Sequence, residues 1–191
     1  MKTYKQTIDK PRIEIEHDPF ATSPREDSNL GYFITCDNKH YSPDKHETLQ
    51  AIIKSTGEIA TSQAEHIELI KKEYTEEKIL AIYPVTKYEH GGVSYSLGTV
   101  RGFDNSNNGF YIITDKTQKE LGTEQKDFES VIKAELEIYN KYLNGEVYTI
   151  AIYDKDGEMQ ESCGGFYDIE DMRSGLPKDL QDEDLTQYII N

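Results

Sequence analysis

From residue 12 the chain alternates apolar and polar positions. Arg12-Ile13-Glu14-Ile15-Glu16 has the two-residue period of a strand with one buried face. A loop rich in Pro, Ser and Asp follows from Asp18 to Asn29, and Gly31 to Cys36 reads as a second, more buried strand. Asn38 to Lys45 reads as a loop or turn. The period then changes to that of helices. One is predicted from Glu47 to Lys54, stopping near Gly57. A second opens at Thr61 or Ser62, with Ala64, Ile67, Ile70 and Tyr74 as its apolar face. Ser62, with Glu65 three residues on, has the spacing of a capping box, in which each side chain satisfies a backbone donor left over at the helix start.

Ile79 to Tyr88 is rich in β-formers, and Pro84 within it predicts an edge position or a bulge. Gly91-Gly92 and Val93 to Leu97 complete a hairpin. Asp104 to Gly109 reads as a loop and Phe110 to Thr114 as a strand. The strongest helical pattern runs from Asp127 to Leu143, with Phe128, Val131, Ile132, Leu136, Tyr139, Tyr142 and Leu143 on one stripe. Glu129, Lys133, Glu137 and Lys141 alternate in sign on another face, and Asn144-Gly145 supplies a left-handed stop. Val147 to Tyr153 and Met159 to Cys163 form a hairpin around Asp156-Gly157. In the tail, Leu180, Leu185, Tyr188 and Ile189 predict a short amphipathic helix. The order ββααβββααββα, with strands clustered, predicts an α+β fold in which a mainly antiparallel sheet packs against a few helices. Residues 1–168 read as a single domain, and 169–191 as an acidic C-terminal segment forming a short docked helix.

Composition changes this picture in one respect. The chain has 191 residues, long enough for a core without staples, and its 36% hydrophobic content is low but above that of a disordered chain. Fourteen Tyr and no Trp imply a core that leans on Tyr and Ile, with each buried hydroxyl needing a partner. Lys plus Arg total 21 and Asp plus Glu 36, a net charge of −15. The excess is not uniform. Residues 1–60 carry 8 basic and 10 acidic side chains, residues 61–122 carry 7 and 9, and residues 123–191 carry 6 and 17. Such a field repels nucleic acid and anionic membranes and attracts cationic surfaces or metal ions; plain solubility is its other explanation. Two cysteines make no disulfide framework, and the N-terminal segment MKTYKQTIDK lacks the apolar core of a signal peptide. The cytoplasm of a bacterial host is the expected location.

Specific chemistry is sparse. No nucleophile elbow, Walker loop, dinucleotide fingerprint or HExxH helix occurs. Cys36 and His40 stand four apart where a strand is expected, which does not favour zinc. A Cys–His nucleophile pair remains open, because such partners need not be neighbours in sequence. DNSNNGFYIITD has calcium-loop spacing: Asp104, Ser106 and Asn108 at positions 1, 3 and 5, Gly109 at 6, Tyr111 at 8 and Asp115 at 12. A polar turn between strands, with Asn-Asn-Gly at its tip, explains the same residues. Pro24 to Gly31 reads as a loop whose Asp27 and Asn29 cap backbone donors, or as a cation or partner contact. Glu26, Asp27, His90 and Asp104 are the residues for acid–base or metal-assisted work, if any site of that kind forms.

Several segments carry a resemblance. Pro24-Arg25-Glu26, Asn29-Leu30-Gly31, Tyr41 and Asp44-Lys45-His46 resemble the N-terminal signature of a widespread, mostly uncharacterised family of phage and prophage proteins. Tyr83-Pro84, Tyr88 to Val93, Asp104 to Phe110, Ala134 to Tyr139, Leu143 to Tyr148 and Ser162 to Tyr167 are similar to its later motifs, so the likeness covers about residues 13–168. Glu26 directly precedes Asp27 where the family has an aromatic residue, Phe103 replaces Trp, and Gly164 stands where Trp is usual. The loop after Asp104 also differs, so the calcium-like spacing belongs to this sequence alone. Small acidic proteins of mobile elements often act against host defences. The resemblance therefore implies an anti-defence protein, most plausibly an anti-CRISPR that occupies the basic nucleic-acid channel of an effector complex as a DNA mimic, not an enzyme. The residues expected to contact that partner are Asp154, Asp156, Glu158 and Glu161 of the last hairpin, with Asp168, Glu170, Asp171, Asp179, Asp182, Glu183 and Asp184 of the tail. The alternatives are a calcium-binding accessory protein using Asp104, Ser106, Asn108 and Asp115, and an enzyme with the carboxylate and His set above; no other cofactor is expected.

Overall fold

The computed structural model describes residues 12–36 and 42–174 and, in the last segment, residues 176, 178, 181, 182 and 184–188. The expected α+β class is what forms: the described residues make five α-helices and two antiparallel sheets in the order ββααβββααββα. The chain divides into two compact units, one of residues 23–143 and one of residues 1–22 with 144–191. The expected division at residue 168 differs, because the first strand pairs with the last hairpin and the tail packs on both.

In the larger unit the sheet order is β2-β5-β3-β4, from β2 (Tyr32–Thr35), β3 (Ile79–Glu89), β4 (Val93–Leu97) and β5 (Asn105–Thr114). The central strand β5 is buried from Gly109 to Thr114. Its alternation sends Tyr111 and Ile113 to one face, where α4 (Phe128–Leu143) lays down Phe128, Ile132, Leu136 and Tyr139. Phe110 and Ile112 go to the other face, against α1 (Glu47–Gly57) and α2 (Gln63–Glu73). Both faces of the sheet are therefore covered, which explains a continuous apolar run in an antiparallel strand. The segment 105–109, expected as loop, is strand: it pairs with β3 through Val85↔Gly109, Lys87↔Ser106 and Tyr88↔Asn105. Pro84 lies just beyond the last β3–β4 pair, Val85↔Leu97, and beside a register shift at Val85/Lys87, so its missing N–H interrupts no inner ladder.

Two helix details differ from expectation. Ser62 Oγ accepts from the Glu65 N–H at 3.2 Å, but Glu65 turns its carboxylate to the Thr61 N–H and hydroxyl rather than to Ser62. Those bonds hold the Glu65 carboxyl below its ordinary pKa. Ala64 is exposed, and His66 turns inward instead, with Nε2 2.9 Å from the Ile53 carbonyl and its ring edge-on to Phe110.

The smaller unit holds the sheet β1-β6-β7, from β1 (Arg12–His17), β6 (Tyr148–Tyr153) and β7 (Met159–Phe166). Its core is Ile13, Ile15, Ile150 and Ile152 under Met172 of α5 (Ile169–Ser174), Leu176 and Leu185. The tail does dock, with α5 earlier than the helix expected and a 3-10 turn at Leu185–Tyr188; Leu180 and Ile189 lie outside the described residues. Gly164 is closely packed: a Cβ there would meet Asp18 Oδ2 at 2.4 Å and Thr149 Oγ1 at 2.8 Å, so those side chains would have to shift. Gly165 takes φ +83° and donates its N–H to the same Asp18 carboxylate at 3.0 Å.

The tyrosine-rich core has a measurable consequence. Burial raises the phenol pKa of Tyr32, Tyr74, Tyr111 and Tyr139, with Glu77 adding to the shift at Tyr32 and Tyr74; Tyr74 is pushed up to about 12. In the unfolded chain these groups ionise near 10. Their contribution is thus fully present below about pH 10 and is lost as pH rises through the folded values. The urea midpoint should fall steeply above about pH 10, with the tyrosinate absorbance of these four residues appearing only as the protein unfolds. Free titration of every Tyr near 10, without loss of stability, would contradict this burial.

Candidate functional site

Pro24-Arg25-Glu26 forms a 3-10 turn, with Ser23 Oγ accepting from the Arg25 N–H at 3.2 Å and Pro24 in the first turn, where a missing N–H costs nothing. The turn aims Arg25 inward until its side chain is only 3% exposed. All five guanidinium N–H groups are then engaged. Nε and Nη2 form a fork onto Asp44 at 2.9 and 2.6 Å, Nη1 reaches Asn29 Oδ1 at 2.8 Å and Glu135 Oε2 at 2.9 Å, and Nη2 also reaches the Gly31 carbonyl at 2.7 Å. Burial by itself lowers the guanidinium pKa; the hydrogen bond and charge of Asp44, then Tyr111, more than offset this and leave it above its ordinary value.

The two carboxylates have second duties. Asp44 Oδ2 accepts from the Phe33 N–H at 2.6 Å, and Glu135 Oε1 from the Leu30 N–H at 2.9 Å. The Tyr111 hydroxyl donates to Glu135 Oε2 and accepts from the Gly31 N–H at 3.0 Å. Gly31 itself is crowded: a Cβ would lie 2.4 Å from the Ile112 carbonyl oxygen and 2.8 Å from Tyr111 Cε1. Here Pro24-Arg25, Asn29-Leu30-Gly31, Asp44 and Glu135, separate in sequence, become one buried node joining the loop, β2, β5 and α4. With every Arg25 donor occupied, the node is a scaffold and not an anion-binding group.

A cleft of about 630 Å³ opens beside the node. Its charged lining is mixed, with Glu26, Asp27 and Glu120 facing Lys45 and Lys116; Lys116 also lies 3.5 Å from Glu77. The nearby His46 is engaged elsewhere, accepting the Leu49 N–H at the start of α1 and meeting the Tyr74 hydroxyl at 3.2 Å.

The calcium-loop reading is not supported by the backbone. Asp104 and Asp115 stand at opposite ends of the extended strand β5, on the order of 30 Å apart at about 3.3 Å per residue. A calcium loop of that length must instead curl around one ion. Asn108 joins β2 to β5 by donating to the Cys36 carbonyl at 2.9 Å. Ser106 is in register with Lys87, and Asp115 begins α3 (Asp115–Leu121), accepting from the Lys78 N–H at 3.2 Å. The acid–base set separates for the same reason. Glu26 and Asp27 line the cleft with Lys116 and Glu120, past the C-terminal end of β5, whereas His90 and Asp104, 3.7 Å apart, sit at its N-terminal end. Catalytic groups must converge on one reacting centre, and these do not. His40, like Tyr41, lies outside the described residues.

The smaller unit carries most of the acidic surplus: 16 acidic against 7 basic residues in 1–22 and 144–191 together. Not every expected contact residue is available. Asp154 organises the hairpin turn, accepting from the Asp156 and Glu158 N–H groups and from Gln160. Asp168 caps α5 through the Asp171 N–H at 2.8 Å, whereas Glu170, 3.6 Å from Arg173, stays exposed. Asp171 and Asp184 also have partners. Asp156, Glu158, Glu161 and Asp182 are exposed, as is Glu146, which the sequence reading left out; Asp179 and Glu183 lie outside the described residues. Among the described residues no helix is long and apolar enough to cross a membrane. Comparison with protein-family models, curated proteins and solved structures finds no match for this chain.

Proposed function

We propose that this chain is a stoichiometric binder of a basic protein surface, and that it acts as an anti-defence protein of a mobile element by occupying the nucleic-acid channel of a host effector such as a CRISPR complex. One observation carries the reading: the acidic surplus is concentrated in the smaller unit, where Asp156, Glu158, Glu161, Glu170 and Asp182 are exposed. Carboxylates spaced over a folded surface present what Lys and Arg of such a channel otherwise meet as phosphates. The resemblance to phage and prophage proteins supplies the biological class of the partner. The Arg25 node has the complementary role of keeping the larger unit rigid.

The test is capture of purified CRISPR effector complexes with target DNA as competitor, across a salt series. Binding should be lost to DNA and should weaken steeply with salt. A variant with Asp156→Asn, Glu158→Gln, Glu161→Gln, Glu170→Gln and Asp182→Asn should bind at least about tenfold more weakly and with a shallower salt dependence. Capture that ignores salt and these substitutions would refute mimicry, and capture by no effector would refute the proposed target.

A further inference from the structure

We infer that the outer edge of β7 is a docking site for an extended, basic segment of a partner protein, which joins the β1-β6-β7 sheet as a fourth strand. Strand edges present unpaired N–H and C=O groups, and proteins commonly protect them. Among the described residues both edges of the larger unit's sheet are protected. On β2, the Phe33 and Thr35 N–H groups donate to Asp44 and Ser42, and the Asp44 N–H returns to the Phe33 carbonyl. On β4, the Asn140 amide acts as a short strand: it accepts from the Tyr95 N–H at 2.7 Å and donates to the Tyr95 carbonyl at 2.9 Å. In the smaller unit the turn Leu185–Tyr188 packs near β1, with Leu185 buried among Ile13 and Ile15. Among the described residues nothing pairs with the outer side of β7, and Met159 to Gly165 are exposed.

The edge also has a chemical character. Ile150↔Cys163 and Ile152↔Glu161 are opposite pairs, so Cys163 and Glu161 share the face of the two buried isoleucines. A hollow of about 420 Å³ lies there, floored by those isoleucines and bordered by Gln160 to Cys163. An added strand would place one side chain over this hollow and another, two residues away, beside Glu161. An apolar residue and a Lys or Arg suit those positions, and Glu158 and Asp156 nearby reinforce the sign. Register shifts at both ends of β7 restrict the regular ladder to Glu161–Cys163, so the docking stretch is short. Strand addition takes affinity from backbone bonds and selectivity from alternate side chains. The inference rests on the acidic-binder reading for the sign of the partner's charge. A second copy of this chain is disfavoured, because it would bring its own Glu161 to the same edge.

The experiment uses the full chain and three synthetic peptides of about eight residues: alternating Lys and Val, the same peptide N-methylated at alternate amides, and a version with Glu for Lys. The Lys–Val peptide should protect the Glu161–Cys163 amides from hydrogen exchange. N-methylation should weaken it by about tenfold or more, because it removes backbone donors and blocks the strand edge while leaving every side chain in place. Glu161→Lys should shift the preference toward the Glu peptide. Equal binding of the N-methylated peptide, or protection elsewhere, would overturn strand addition while leaving the acidic-surface reading intact. A dimer in sedimentation with β7 already protected would also overturn it. Failure of effector capture with the peptide result intact would instead count against the proposed target alone.

Discussion

Removal of residues 169–191 is expected to unfold the smaller unit, with hydrogen-exchange protection lost across Thr149–Tyr153 of β6 and retained in β5. The tail reads as an appendage by charge, yet it supplies Met172, Leu176 and Leu185, all buried against Ile13, Ile15, Ile150 and Ile152. Burial of side chains of this size contributes about 1.5–3 kcal/mol each, so the three amount to roughly 5–9 kcal/mol. That is comparable to the whole stability of an ordinary domain, about 5–15 kcal/mol. A single Met172→Ala substitution should cost about 2–5 kcal/mol on the same grounds. If β6 keeps its protection in the truncated chain, the tail is not part of that core.

Arg25→Met should destabilise the larger unit by about 3–5 kcal/mol, read as a lower urea midpoint with little change in slope. The loss comes less from the missing attraction than from what remains: Asp44 and Glu135, 14% and 16% exposed, would face each other's surroundings without their cation. Arg25→Lys should recover only a fraction, since an ammonium cannot reproduce a planar fork with five donors. Replacing all three charged residues with apolar ones, often harmless for a buried ion pair, should not rescue stability here. Asp44 and Glu135 also satisfy the Phe33 and Leu30 N–H groups, which would be left unpaired. A loss below about 1 kcal/mol for Arg25→Met would contradict the description of the node as the organising contact.

Local pattern carried the elements a long way. The stripe from Phe128 to Tyr142 forms the buried face of α4, and the Glu129–Lys133 and Glu137–Lys141 pairs form on its surface. Ser62, Gly145 and Gly157 act at their helix start, helix stop and turn, because caps and tight turns depend on one or two residues and their own backbone. Pattern was less informative where the partner is remote. Asn105 to Gly109 is polar enough for a loop, and only pairing with β3 extends it into strand. That one change dissolves both the calcium spacing and the approach of Asp104 to Glu26. The single sequence shows Arg25, Asp44 and Glu135 as ordinary charged residues in a charged chain, since nothing local distinguishes a buried guanidinium from a solvated one.

The acidic character has the same double origin. Its amount and its place in the last third follow from counting side chains, and counting needs no fold. Which carboxylates face outward depends on contacts between distant segments: Asp18 and Asp168 hold backbone N–H groups in place, Asp154 closes a turn, and Glu161 is exposed on β7. Element type and total charge are sums over neighbours in sequence. The buried node, the division into two units and the place of β7 at the end of its sheet arise from hydrogen bonds and apolar contacts between residues far apart along the chain, and those exist only once the backbone has closed around them.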